Sequence, residues 1–217
     1  MVQKNLAPHH EAMLCKESGI LPEIIAQRGY FTATTKAELK RLGFGDLQRN
    51  VPALVVPIWG VNGEVVSYQT RPDLPRIKKG KSLKYEFPAG STMCIDVHPG
   101  IREMIRDPSV PLFITEGIKK ADAAISRGLC CIGLLGVWNW RGANEYGGMT
   151  ALPDWEEVAF KDKAGTPREI YLAFDSDAMQ NQLVHQALER FGKFLTAKGA
   201  RVNYVYFPQS LEGEVTK

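Results

Sequence analysis

The chain has 217 residues, 44% hydrophobic and 24% charged, which is ordinary globular composition for one large domain or two small ones. Its net charge of +3 excludes a uniformly basic nucleic-acid coat, so any such footprint must come from local clustering. The four cysteines form no C-x-x-C pair, which argues against a zinc ribbon, and no apolar run approaches the roughly 20 residues of a membrane span.

The opening MVQKNLAPHH lacks the apolar core of a signal peptide. A reduced, soluble, cytoplasmic protein is expected. His9, His10 and Cys15 admit a metal site on paper, but a polar helix face explains the histidines as well. Residues 7–45 read as short helices. Leu21, Ile24 and Ile25 suggest one apolar face, with Pro22 in a first turn. Thr35 can cap a second helix, TKAELKRLGFG, with Glu38 at the capping-box position and Gly43 at its end.

From residue 53 the period changes. ALVVPIWG and EVVSYQT are β-rich runs, and Asn62-Gly63 between them is a hairpin signal. RPDLPRIKKGKSLKYEFPAG follows, loop-like because of Pro72, Pro75 and Gly80. It carries Arg71, Arg76, Lys78, Lys79, Lys81 and Lys84, opposed only by Asp73 until Glu86. It reads either as a solvated basic loop or as a phosphate-contacting surface on which Tyr85 and Phe87 offer stacking faces.

DPSVP, residues 107–111, is the expected boundary between a domain of residues 1–108 and one of 109–217. Beyond it PLFITEG, LCCIGLLG, IYLAFDSD and ARVNYVYFP read as strands. IKKADAAISRG reads as a helix with Ile118, Ala121, Ala124 and Ile125 on one face. A second helix carries Leu183, Val184, Ala187, Leu188, Phe191 and Leu195 on one side, ended by Gly199. Strands alternating with helices predict an α/β fold with a mostly parallel sheet and ligands at the carboxyl ends of its strands. Glu116 stands at one such end, and Asp175 and Asp177 at another.

Three carboxylates on one sheet edge suit Mg²⁺, which takes one or two carboxylates and leaves positions for phosphate oxygens. Alternatively, the D-S-D stretch caps the helix that follows it. VWNWR, residues 137–141, places Trp138 and Trp140 beside Arg141, either as stacking partners for a base or as core, with burial favoured for one of them.

ITEG, LLG at residues 134–136, and FDSDA resemble the strand ends of the toprim domain of bacterial-type primases, topoisomerases and some nucleases, over roughly residues 109–208. IIAQRGY, VPIWGVNGEVVSYQTR and KYEFP resemble the amino-terminal subdomain of the bacterial primase catalytic core. RPDLPR and TEGIKKAD are similar to signatures of primase-like toprim proteins of phages, plasmids and mobile elements, often fused to a helicase. The resemblance implies a toprim domain with a central, mostly parallel sheet flanked by helices, preceded by a smaller α+β subdomain. It implies Glu116, Asp175 and Asp177 as the acidic triad holding Mg²⁺ or Mn²⁺, and Arg71 and Lys84 near the active site. The pattern departs from ordinary primases in three ways. Lys120 stands where they have an aspartate, with Asp122 two residues further on. The chain ends at EGEVTK before their last acidic cluster, implying a truncated toprim domain, and their zinc module is not visible.

The resulting expectation is a metal-dependent, primase-like nucleotidyltransferase acting on single-stranded DNA, as part of a replication protein of a mobile element. Its partners would be single-stranded DNA or RNA, nucleoside triphosphates and a helicase domain fused or in trans, with no membrane. Lys119 and Lys120 would contact triphosphate, with Lys120 counted among the catalytic residues, and Arg71, Arg76, Lys78, Lys79, Lys84, Tyr85 and Arg141 would contact nucleic acid or nucleotide. The alternatives are a toprim nuclease and a catalytically weak nucleic-acid-binding module. A sugar transferase is disfavoured by the T-E-G strand and the primase-like hairpin. A haloacid-dehalogenase phosphatase is excluded by Met179, where that family needs Thr or Val.

Overall fold

A computed structural model describes residues 5–174 and 182–205. In the first half, α1 (Pro8–Ala12) runs into a π-helical turn at Met13–Glu17, and α2 (Pro22–Arg28) follows. Pro22 occupies the first turn of α2, and Gly29, at φ +83°, ends it in the left-handed conformation. β1 (Phe31–Ala33) comes next and was not anticipated, since three consecutive buried residues leave no alternation to read. α3 (Lys36–Arg41) carries the expected capping box: the Glu38 N–H donates to Thr35 Oγ1, and the Thr35 N–H donates to Glu38 Oε2.

Thr35→Ala is expected to cost about 1 kcal/mol, read as a lower urea midpoint. The bonds from Thr35 hold the Glu38 carboxyl below its usual range. That contribution is therefore present above the ordinary glutamate pKa and lost as pH falls through the lowered one.

β2 (Ala53–Trp59) lies between β1 and β3 (Val65–Pro72) in an antiparallel sheet of order β1-β2-β3. Pro57 sits inside this central strand, yet β1 pairs only with Ala53–Val55, so the missing N–H costs no bond on that side. The β2–β3 turn spans residues 60–64, with Gly63 at φ +78° as the Asn62-Gly63 signal predicted. The basic stretch is more ordered than the loop expected for it. β4 (Ile77–Lys78) and β5 (Lys81–Ser82) form a small hairpin about Lys79 and Gly80, both at positive φ.

The second half builds a four-stranded parallel sheet from β6 (Leu112–Glu116), β7 (Cys130–Leu134), β10 (Glu169–Ala173) and β11 (Arg201–Tyr204). α4 (Ile118–Ile125) joins β6 to β7, and α5 (Gln182–Ala197) precedes β11. The excursion between β7 and β10 carries a short hairpin, β8 (Arg141–Ala143) and β9 (Met149–Ala151). The order is β11-β10-β6-β7, so the connections leaving β6 and β10 run in opposite directions. Right-handed crossovers then put α4 and α5 on opposite faces, which makes the carboxyl ends of β6 and β10 the switch point of the sheet, where ligands bind in such folds. The predicted α/β fold with helices flanking a parallel sheet is therefore present.

The α4 face is as expected with one addition, and the α5 face needs one correction. On α4, Asp122 is buried beside Ile118, Ala121 and Ile125 because a guanidinium from α2 meets it. On α5, Leu183 is 66% exposed, while Ala187, Leu188, Phe191 and Leu195 are buried. Gly199, at φ +102°, ends the chain of helical bonds as expected. Trp140 and Trp155 pack with Phe191 and Phe194 of α5, at ring separations of 5.2–5.9 Å. At the amino-terminal edge of the sheet, buried Arg168 donates to the carbonyls of Met104, Ile105, Val110 and Ala159, tying the segment before β6 to the start of β10.

One apolar core runs through both halves, from Ile24 and Val56 to Ile114 and Ile170. Its centre is crossed by a buried ionic cluster. Arg28, fully buried, donates through Nε and Nη2 to the two Asp122 oxygens at 2.6 Å, and through Nη1 to Asp96 Oδ1 at 2.8 Å. The Tyr30 hydroxyl donates to Asp122 at 2.7 Å. Burial alone lowers the Arg28 pKa, but Asp96 and Asp122 outweigh it and raise the pKa, so the guanidinium stays charged. Asp96 belongs to a segment that bridges antiparallel to Gly133 of β7. The cluster thus clamps α2, β2, α4 and β7 together.

Candidate active-site cleft

β6 ends in Glu116, and Gly117 turns the chain into α4 at φ +94° and ψ 140°, a conformation that favours glycine. The Gly117 N–H donates to the Leu134 carbonyl at 2.8 Å, fixing the turn against the end of β7. This sets Glu116, Lys119 and Lys120 on the rim of a cleft of about 360 Å³. The opposite wall comes from the first half: Gln69 of β3, with Tyr85 and Phe87 of the segment that returns along β3. That segment is held by reciprocal backbone bonds between Thr70 and Glu86. Lys119 Nζ also lies 3.3 Å from Ser18 Oγ.

The basic residues divide by what they touch. Arg71 donates to the Tyr85 hydroxyl at 3.0 Å and lies 5.5 Å from its ring centre, so it joins the cleft through Tyr85. Arg76 holds buried Glu86 with Nε bonds of 2.9 Å and 2.8 Å, which spends its charge on positioning the Tyr85–Phe87 segment. Lys78, Lys79 and Lys84 are exposed. Arg141 does not line the cleft; its guanidinium lies 4.3 Å from the Trp138 ring centre. Trp140 is the buried tryptophan of the pair, and Trp138 is half-buried.

Asp175 and Asp177 lie outside the described residues. β10 ends at Ala173, in register with Thr115 of β6, so the chain leaves β10 beside the strand that carries Glu116. Asp122, the acid nearest in sequence to the position of Lys120, is committed to Arg28 and Tyr30 and does not line the cleft. Gln69 was missed by sequence reasoning. Its signal was alternation: it shares a face of β3 with Arg71, two residues on.

A family model described as a domain of unknown function, DUF3854, matches residues 102–214, more than half of the chain. An uncharacterized protein of Picosynechococcus sp. is 29% identical over 119 residues, which cover 51% of this chain and 11% of that protein's length. Among solved structures, the Aquifex aeolicus primase (zinc-binding and RNA polymerase domains) matches with a TM-score of 0.62 at 16% identity, over 94% of this chain and 51% of that one. The DnaG primase catalytic domain bound to single-stranded DNA matches with a TM-score of 0.60 at 14% identity, over 94% and 66%. The RNA polymerase domain of Mycobacterium tuberculosis primase matches with a TM-score of 0.59 at 12% identity, over 94% and 71%. Among the described residues no helix is long and apolar enough to cross a membrane. The chain belongs to the DUF3854 family, and its fold is similar to that of the bacterial primase catalytic core.

Proposed function

We propose that this protein is a metal-dependent, primase-like nucleotidyltransferase that reads single-stranded DNA and joins nucleoside triphosphates. The observation that carries this reading is the cleft itself. A strand-end carboxylate and two lysines on one wall face two aromatic rings and an arginine-bonded tyrosine hydroxyl on the other. Phosphate needs cations, bases need stacking faces, and nucleotidyl transfer needs a carboxylate at the reacting phosphate; the cleft supplies all three.

In this reading residues 1–108 grip template and residues 109–217 form a toprim-type catalytic domain. Glu116, Asp175 and Asp177 form an all-oxygen donor set that suits Mg²⁺ or Mn²⁺. The bound ion supplies charge neutralisation at the transferring phosphoryl group. Lys119 and Lys120 hold triphosphate oxygens. Tyr85 stacks a base while its hydroxyl, fixed by Arg71, keeps the ring in place. Exposed Lys78, Lys79 and Lys84 contact template phosphates. A replication protein of a mobile element, with a helicase fused or in trans, is the context that this activity fits.

The test is primer synthesis on single-stranded DNA with labelled nucleoside triphosphates and Mg²⁺ or Mn²⁺. Metal-dependent products lost in Asp175→Asn are expected; degradation of the template would move the protein to the nuclease branch. Binding is tested separately. Arg71→Ala and Lys84→Ala should each weaken single-stranded DNA binding and lower the slope of log K against log salt by up to about 0.7 for each phosphate no longer neutralised. Unchanged affinity and slope would remove these side chains from the interface.

A second reading rests on Lys120 and Asp122. With a lysine at the position of the primase aspartate and the neighbouring acid locked to Arg28, the described part of the cleft has one carboxylate on its rim. This favours a catalytically weak module that grips nucleic acid for a larger protein. Binding without synthesis or cleavage would establish it.

A further inference from the structure

Among the described residues, one group of three metal-ligating side chains converges: His9 and His10 of α1, and Asp73, the first residue after β3. The two histidines are consecutive, and Asp73 lies 64 and 63 residues from them. His9 Nε2 lies 3.0 Å from Asp73 Oδ2, and His10 Nε2 lies 2.9 Å from Asp73 Oδ1. We propose that His9, His10 and Asp73 form a binding site for a divalent transition-metal ion of the zinc class, separate from the carboxylate site in the cleft.

The geometry is close to what such an ion needs. Donors at about 2.0–2.2 Å from a tetrahedral ion lie about 3.4 Å from one another. The ligand atoms here all lie within 4.8 Å of one another. Asp73 presents Oδ2 to His9 and Oδ1 to His10, each pair about half an ångström closer than tetrahedral donors sit, so the carboxylate backs off and turns one oxygen toward the ion. Two imidazole nitrogens and one carboxylate oxygen match zinc-class ions, whereas Mg²⁺ prefers oxygen throughout. Three protein ligands leave a fourth position, which faces solvent because the His9 side chain is 53% exposed and that of Asp73 29%.

The outer partner of a metal-binding histidine is already built. His10 is fully buried, and its Nδ1 meets Thr32 Oγ1 at 2.8 Å, while that oxygen also accepts the Ala7 N–H at 2.8 Å. This fixes the ring with Nε2 aimed at Asp73. A carboxylate oxygen accepts, so a hydrogen bond from either Nε2 to Asp73 requires the proton on that nitrogen. When neutral imidazoles bind the ion, that proton moves to Nδ1, which on His10 faces Thr32 Oγ1, so the ring proton is conserved. Asp73 lies two residues beyond Arg71 and at the root of the β4–β5 hairpin, so a bound ion braces the amino-terminal segment against the base of the basic surface.

The test uses the untagged chain, with excess Mg²⁺ to fill the carboxylate site. It is titrated with Zn²⁺ by calorimetry and with Co²⁺ by visible absorption. One Zn²⁺ per chain and the intense bands of tetrahedral Co²⁺ are expected. His9→Ala and Asp73→Asn, each with an unchanged circular dichroism spectrum, should weaken binding at least about tenfold, since losing even an outer-shell partner costs that much. Cys15→Ser should leave affinity unchanged. Absence of saturable binding, or binding that neither His9→Ala nor Asp73→Asn weakens, would overturn the site and leave a hydrogen-bonded staple.

Discussion

Arg28→Met is expected to destabilise the protein by about 3–5 kcal/mol, because it leaves Asp96 and Asp122 buried without their counter-charge. Urea unfolding at neutral pH measures this directly. The loss should shrink as pH falls. Burial raises the Asp96 carboxyl even in the intact cluster, where Arg28 and the Trp59 N–H oppose it. Without Arg28 the folded-state pKa rises further above the unfolded value. Protonation then removes the unpaired charge in the folded state first, so the penalty is largest above that pKa and relieved below it. Adding Asp122→Asn to Arg28→Met should recover part of the loss, since one of the two orphaned charges is then gone. A loss below about 1 kcal/mol at neutral pH would mean that the cluster is not the clamp between the halves.

Under the proposed function, Glu116→Gln is expected to reduce primer synthesis by at least about 10²-fold, the scale on which removing one preorganised electrostatic group acts. The substitution keeps the shape of the side chain at the end of β6 and removes its charge. The circular dichroism spectrum should stay that of the folded wild type, because Glu116 borders the cleft and lies outside the buried cluster. Single-stranded DNA binding should persist, since Tyr85, Phe87 and the Arg71-bonded hydroxyl come from the other half of the chain and Lys119 and Lys120 are retained. Synthesis at the wild-type rate would sink the assignment of this strand end. Lost synthesis accompanied by lost binding would instead mean that Glu116 organises the wall. Comparing Glu116→Gln with Asp175→Asn tests whether the two strand ends act as a unit, in which case the double variant is no worse than either single one.

Local chemistry was readable wherever a short stretch governs its own structure. The capping box at Thr35 and Glu38, Pro22 in a first turn, the positive φ at Gly63 and Gly199, and the strand–helix alternation after residue 111 all depend on neighbours in the chain. β1 was illegible because its three residues are all buried and their partners on β2 lie 20 to 24 residues away. The hairpin at Lys79-Gly80 was hidden because its strands are only two residues long.

By itself, the sequence determined the α/β class, the Glu116 strand end and the run of basic and aromatic residues from Arg71 to Phe87, because each is a property of consecutive residues. The tertiary structure alone decided which cations face the cleft and which are consumed internally. Arg76 looked equivalent to Lys78, but Glu86 claims it; Arg28 drew no attention, yet it holds two buried acids across 68 and 94 residues. It also drew His9 and His10 to Asp73, when Cys15 was the neighbour that sequence suggested. The physical reason is the same in each case: a buried or half-buried charge is partnered by whatever opposite charge the fold brings within about 3 Å, and that distance is not written in sequence separation.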